Sequence, residues 1–93
     1  MNNSEIAAVF SDIADILEQK KDNIFKIRAY RKVASSIEGL TVTVEQLTRE
    51  RRLKEIPGAG EAIMKKITEL VNTGKLDFYE KLKAEFPERT TSA

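Results

Sequence analysis

Apolar residues recur at three- and four-residue intervals along most of the chain, the spacing of helices that bury one face. Ile6, Val9, Phe10, Ile13, Ile16 and Leu17 predict a first helix, with Ser4 as its cap and Glu5 complementing its N-terminus. Asp22 or Asn23 caps a second helix from about Ile24 to Glu38, and Gly39 stands where a left-handed C-cap belongs. Ile27, Tyr30, Val33, Ala34 and Ile37 share its inner face. Leu40 to Val44 is β-branched but finds no partner strand in the sequence, so it reads as a loop. Thr43-x-x-Gln46 reads as a capping box for a third helix that reaches about Glu55, with a break expected around Arg49 to Arg52. Leu53 and Ile56 close that stretch. Pro57 stops it, having no N–H to donate and disfavouring a helical residue before it. After Gly58-Ala59-Gly60 a fourth helix, Glu61 to about Thr73, carries Ile63, Met64, Ile67, Leu70 and Val71 inward and ends at Gly74. Asp77 opens a fifth with Phe78, Tyr79, Leu82 and Phe86, and Pro87 ends it. The expected fold class is all-α, a compact bundle of four or five helices with one tight hairpin. Residues 1–87 form one domain in this reading, and residues 88–93 a flexible tail or truncation point.

Composition narrows the chemistry. Ninety-three residues suffice for one modest core. Absence of cysteine removes disulfides and thiolate metal sites, and absence of histidine removes the commonest general base and zinc ligand, so protease-type triads are excluded. No aspartate cluster is arranged to hold two metal ions, and no metal ligand set is expected. No apolar run approaches membrane-spanning length and no signal-peptide core opens the chain, so a cytoplasmic, monomeric protein without membrane contact is expected.

The net charge is +1, which by itself argues against a polyanion partner. Its distribution is uneven. The first helix carries Glu5, Asp12, Asp15 and Glu18 and no base, and is expected to face away from any polyanion. Basic residues cluster at Lys20 to Lys32, at Arg49 to Lys54, and at Lys65-Lys66. One face could therefore be cationic on a nearly neutral molecule. An ordinary solvated surface rich in both signs explains the same pattern.

The Gly-x-Gly turn matters most for function. Glycine there permits positive φ and close backbone approach. A glycine-rich turn that runs into a helix presents unpaired N–H groups backed by the positive end of the helix dipole, which suits a phosphate. The bland alternative is a helix–helix turn whose glycines only relieve crowding. The fuller pattern, Leu53-x-x-Ile56-Pro57-Gly58-Ala59-Gly60 followed by a helix with paired lysines, resembles the helix-hairpin-helix motif of proteins that grip DNA by its backbone.

Further residues sharpen the resemblance. Lys26-Ile27-Arg28-Ala29-Tyr30-Arg31-Lys32-Val33-Ala34, Ile56-Pro57-Gly58-Ala59-Gly60, Lys66-Ile67 and Thr73-Gly74-Lys75-Leu76 together look like the small helical domain of family X DNA polymerases, over about Ile6 to Phe86. That resemblance implies a module binding gapped, nicked or abasic DNA near a 5′-phosphate. A polymerase core would lie elsewhere in the full-length protein. Gly58, Ala59 and Gly60 would donate N–H groups, and Lys26, Arg31, Lys54 and Lys65 would supply charge. Related hairpins sometimes hold a monovalent cation on their carbonyls; no other cofactor is implied. Some relatives are also 5′-deoxyribose-phosphate lyases, in which case Lys66 would form a Schiff base with the sugar aldehyde and Tyr30 would stand close to it. The wheel puts Lys66 on the flank of its helix, partly desolvated yet reachable, which is compatible with a nucleophile.

Departures from the pattern are specific. Lyase-active relatives carry lysines where this chain has Ala62 and Phe78, and a histidine where it has Phe25. Phe25 keeps an aromatic face for stacking. The missing cations weaken the phosphate pocket, so modest, salt-dependent affinity is expected. Three functions follow: a DNA-backbone binding module, the same module with lyase chemistry at Lys66, and a helical protein–protein interaction module with an incidental hairpin.

Overall fold

Asn2, not Ser4, starts the first helix. Its side-chain oxygen accepts from the Glu5 N–H at 2.8 Å and the Glu5 carboxylate accepts from the Asn2 N–H at 2.8 Å, a reciprocal box that Ser4 would enter two residues too late. The computed structural model describes residues 1–86. Five α-helices follow in order: α1 (Asn3–Gln19), α2 (Ile24–Glu38), α3 (Val44–Arg49), α4 (Glu61–Thr73) and α5 (Asp77–Glu85). A 3₁₀ turn over Leu53–Glu55 separates α3 from the hairpin. The described residues contain no strand, so the all-α class holds. Pro87 and the tail expected at 88–93 lie outside the described residues.

The expected faces are the buried ones. Ile6, Phe10, Ile13, Ile16 and Leu17 of α1 meet Val33 and Ile37 of α2 in one contiguous core that also takes Leu47, Ile56, Ile67, Leu70, Leu76 and Leu82. Fully burying such a side chain contributes roughly 1.5–3 kcal/mol, so the α1–α2 pair is the scaffold on which the rest is laid. α5 crosses α1, where the Tyr79 hydroxyl donates to Asp12 Oδ2 at 2.7 Å. α3 packs on α4.

Several local expectations are corrected. Gly39 ends α2 at φ −87°, right-handed, whereas the left-handed glycine cap is Gly74 at φ +77°. The non-glycine residues in that conformation are Lys21 (φ 59°) and Arg51 (φ 58°). Each follows a helix end of Schellman type: Asp22 N–H donates to Leu17 O at 3.0 Å after α1, and Arg52 N–H to Leu47 O at 2.8 Å after α3. The second of these makes the break expected in the third helix. Only half of the Thr43 box forms, because Gln46 donates its side-chain amide to Glu50 at 3.2 Å. The loop before α3 is tied by a contact no local pattern announces: Asn3 donates to Val42 O and accepts from Val44 N–H, both at 2.8 Å.

Candidate nucleic-acid interface

The hairpin begins from a constraint on one residue. Gly58 has φ +88°, and a Cβ there would stand 2.5 Å from Lys32 Cγ of α2. Ser36, one turn further along α2, donates its hydroxyl to Pro57 O at 2.8 Å and fixes the bend from below. Gly60 differs. It is extended (φ −76°, ψ 177°), caps α4, and a Cβ there would meet nothing within 4 Å.

The donors expected at Gly58, Ala59 and Gly60 are redistributed. Ala59 N–H donates to Ile56 O at 3.0 Å and Gly60 N–H to Gly58 O at 3.1 Å, so the turn itself engages both. A chain that reverses this tightly closes its own i→i+3 and i→i+2 bonds. Gly58 N–H keeps no acceptor among the described residues. Nor do Glu61, Ala62 and Ile63, the first turn of α4, because Gly60 has no side chain with which to cap them; Met64 N–H is the first satisfied, by Gly60 O at 2.9 Å. Besides that of Gly58, the open amides thus lie one to three residues beyond Gly60, at the positive end of α4.

Beside this helix end lies a cavity of about 430 Å³. Lys26 and Tyr30 of α2, Gly58 and Gly60 of the hairpin, Lys66 of α4 and Phe78 of α5 line it. The buried Tyr30 ring stacks between Phe10 and Phe78, at centroid distances of 6.0 and 6.1 Å. Lys66 Nζ stands 4.8 Å from the centroid of the Phe78 ring, a cation–π contact. Burial, and secondarily the Asp22 charge, push the Tyr30 hydroxyl above its ordinary value of 10.0, so it is a protonated hydrogen-bonding group at neutral pH. Two carboxylates temper the site. Glu61 lines the cavity, and Asp22 lies 3.5 Å from Lys26 Nζ.

Other predicted site residues lie elsewhere. Phe25, at the start of α2, is 73% exposed. Lys65 lines a neighbouring cavity between α4 and α5, and Lys54 a larger groove between α3 and α4. Ala59 packs partly against the core. Arg31 is bound to α1, with its guanidinium 3.0 Å from Asp15 and 2.7 Å from Glu18, and these carboxylates, Asp15 first, strengthen its charged state. The acidic face of α1 therefore serves the fold, holding Arg31 and Tyr79. Sequence reasoning missed Glu61 as a wall of the cavity, whereas the resemblance implies position 78 there, as a lysine site that this chain fills with Phe78. The helical period marks Phe78 as inward-facing but does not say which helix it meets.

Among the described residues, four of the hairpin carbonyls from Ile56 to Gly60 accept a hydrogen bond, from Ala59 N–H, the Ser36 hydroxyl, Gly60 N–H and Met64 N–H, and Ala59 O accepts none. Each of these carbonyl oxygens keeps a lone pair to spare.

Comparison with known proteins settles the family. A sequence model described as helix-hairpin-helix domain matches residues 1–76, which take in α1 to α4 with the hairpin. The chain belongs to that family. This helix-hairpin-helix domain is also similar to the protein named DNA polymerase/3′-5′ exonuclease PolX of Bacillus subtilis (strain 168), at 30% identity over 88 residues. The match takes in 95% of this chain and 15% of that protein's length. Among the described residues of the domain, no helix is long and apolar enough to cross a membrane.

Proposed function

We propose that this helix-hairpin-helix domain is a non-sequence-specific DNA-backbone binding module of a family X polymerase-like repair protein, and that it recognises gapped or nicked DNA near a 5′-phosphate. The observation that carries the reading is the cavity in which the open first turn of α4 meets Lys26 and Lys66. Free amides, a helix dipole and two ammonium groups converge there on a volume fit for a phosphate. Such contacts position a backbone and carry no base information. Exposed Phe25 supplies a ring face for an unpaired base. Glu61 and Asp22 keep affinity modest. The similarity to a protein named a polymerase supports a polymerase core as the partner region in the same full-length chain.

A titration tests this. A gapped duplex with a 5′-phosphate is expected to bind more tightly than the same gap without it, and than an intact duplex. Lys26→Ala/Lys66→Ala should erase the difference; equal binding of all three DNAs by the wild type refutes the reading.

A second reading rests on Lys66 and Tyr30 sharing that cavity. The Lys66 amine would add to the C1′ aldehyde of an abasic sugar and lose water to form the imine; loss of a C2′ proton to solvent would then break the C3′–O bond and expel the 3′-phosphate of the DNA strand, and water would hydrolyse the imine to free the unsaturated sugar phosphate. Borohydride should then trap a covalent adduct on abasic DNA that disappears in Lys66→Ala. No adduct, or one that persists in that variant, removes Lys66 as the nucleophile.

A further inference from the structure

We infer that Phe78 is a positioning residue for Lys66: its ring holds the ammonium at the cavity without neutralising it, and so helps to set the preference for a 5′-phosphate. The inference rests on the phosphate reading of the cavity and gives a role to a side chain which that reading leaves out.

The need for such a residue comes from where Lys66 stands. Lys66 and Phe78 line both the cavity at the hairpin and the neighbouring cavity of about 390 Å³ between α4 and α5, so the ammonium can serve either. The neighbouring cavity holds two competing carboxylates, Glu69 and Asp77. Glu69 lies three residues beyond Lys66 on α4, the spacing at which opposite charges pair along a helix. One Glu69 oxygen accepts from Asp77 N–H at 2.8 Å, and Asp77 is 3.1 Å from Lys81. Yet no salt bridge joins Lys66 to either carboxylate among the described residues. Lys66 Nζ stands over the Phe78 ring instead, 4.8 Å from its centroid.

An aromatic face and a carboxylate restrain a cation differently. The face attracts it through a quadrupole and carries no net charge. Lys66 is thereby held while its charge and N–H donors stay available to an incoming oxyanion, whereas a salt bridge would neutralise the one and occupy the other. Restraint matters for a charge carried on a flexible four-carbon stem. The ring is itself fixed. It stacks on Tyr30 at 6.1 Å and 17°, and Tyr30 stacks on the fully buried Phe10 at 6.0 Å and 14°. This ladder ties the place of the ammonium to the core between α1 and α2. Where the resemblance implies a lysine, Phe78 brings no charge of its own and orients the one beside it.

The test compares the affinity of the whole chain for gapped duplexes with and without a 5′-phosphate. Phe78→Leu keeps apolar bulk and removes the ring. It is expected to cut the ratio of the two affinities by roughly two- to fivefold, the size of one exposed cation–π contact. Phe78→Tyr keeps a ring and should retain the ratio. In a Lys66→Ala background, Phe78→Leu should lower the ratio no further. An equal loss in that background makes the ring a packing residue and overturns the inference, as does a Phe78→Leu ratio equal to that of the wild type. A readout without DNA checks the contact itself. The Lys66 Hε protons, lying over the ring face, should resonate upfield of those of the other lysines and return in Phe78→Leu. Absence of that upfield shift in the wild type overturns the positioning and leaves the phosphate reading standing. Equal affinity of the wild type for the two duplexes overturns the phosphate reading and this inference with it.

Discussion

Gly58 and Gly60 are equivalent letters in a Gly-x-Gly motif, but the backbone separates them. Gly58 needs to be glycine twice over, for φ +88° and for the 2.5 Å approach of Lys32 Cγ to any added Cβ. Gly58→Ala is therefore expected to destabilise the domain by more than about 1 kcal/mol. Gly60 sits in ordinary extended backbone with open space where a Cβ would go, so Gly60→Ala should cost under about 1 kcal/mol, the difference between the two residues as helix caps. Thermal or denaturant unfolding of the two variants checks the ordering. A large loss of DNA affinity in a stably folded Gly60→Ala would assign that glycine to close approach by the ligand. The identity of these residues was legible in the sequence. Which amides remain open was not, because the turn's own hydrogen bonds depend on its φ and ψ values, which two glycines leave free.

The five helices were predicted from their apolar period, and α2 was placed at its observed bounds because Asn23 and Gly39 mark both ends. Cap chemistry was less transparent where several candidates stood within a few residues. Asn2 and Ser4 are both good caps, and the reciprocal bond with Glu5 chose Asn2. α5 has no side-chain cap of its own; Glu69 of α4 accepts from Asp77 N–H at 2.8 Å, a donation across helices that sequence spacing does not encode. The left-handed residues after α1 and α3 are lysine and arginine rather than glycine. Because that conformation costs an L-residue about 1 kcal/mol or more relative to glycine, Lys21→Gly is expected to raise stability by up to about 1 kcal/mol. A midpoint in urea that stays the same or falls would show that the Lys21 side chain contributes enough near the α1 C-terminus to offset the strain.

For the whole molecule, charge is balanced by pairing, and pairing sets the response to pH. Asp22 is held below its usual range mainly by the Asn23 N–H, and Glu50 and Glu55 mainly by Arg52. Each takes up its proton at a higher pH unfolded than folded. Their contribution is therefore complete above the ordinary values of 3.8 and 4.5 and is lost as pH falls through the lower folded ones. Burial raises Tyr30 and Tyr79, so stability should also decline as pH climbs past 10.0. With no histidine, no side chain has its ordinary value between about pH 5 and 8. Unfolding midpoints are expected to be level across that span and to drop on the acid side; a step near pH 6.5 would contradict this. The acid-side loss should be small and salt-sensitive, since these carboxylates are exposed. The sequence by itself determined the all-α class, the helix faces, the hairpin and its family, because periodicity, proline and glycine act within a few residues of chain. Only the tertiary structure decided that Lys26, Tyr30, Lys66 and Phe78 wall one cavity, that Arg31 is held by α1 and that Lys54 faces another groove. Those assignments depend on how helices cross, and crossing is set by the packing of side chains far apart in the chain.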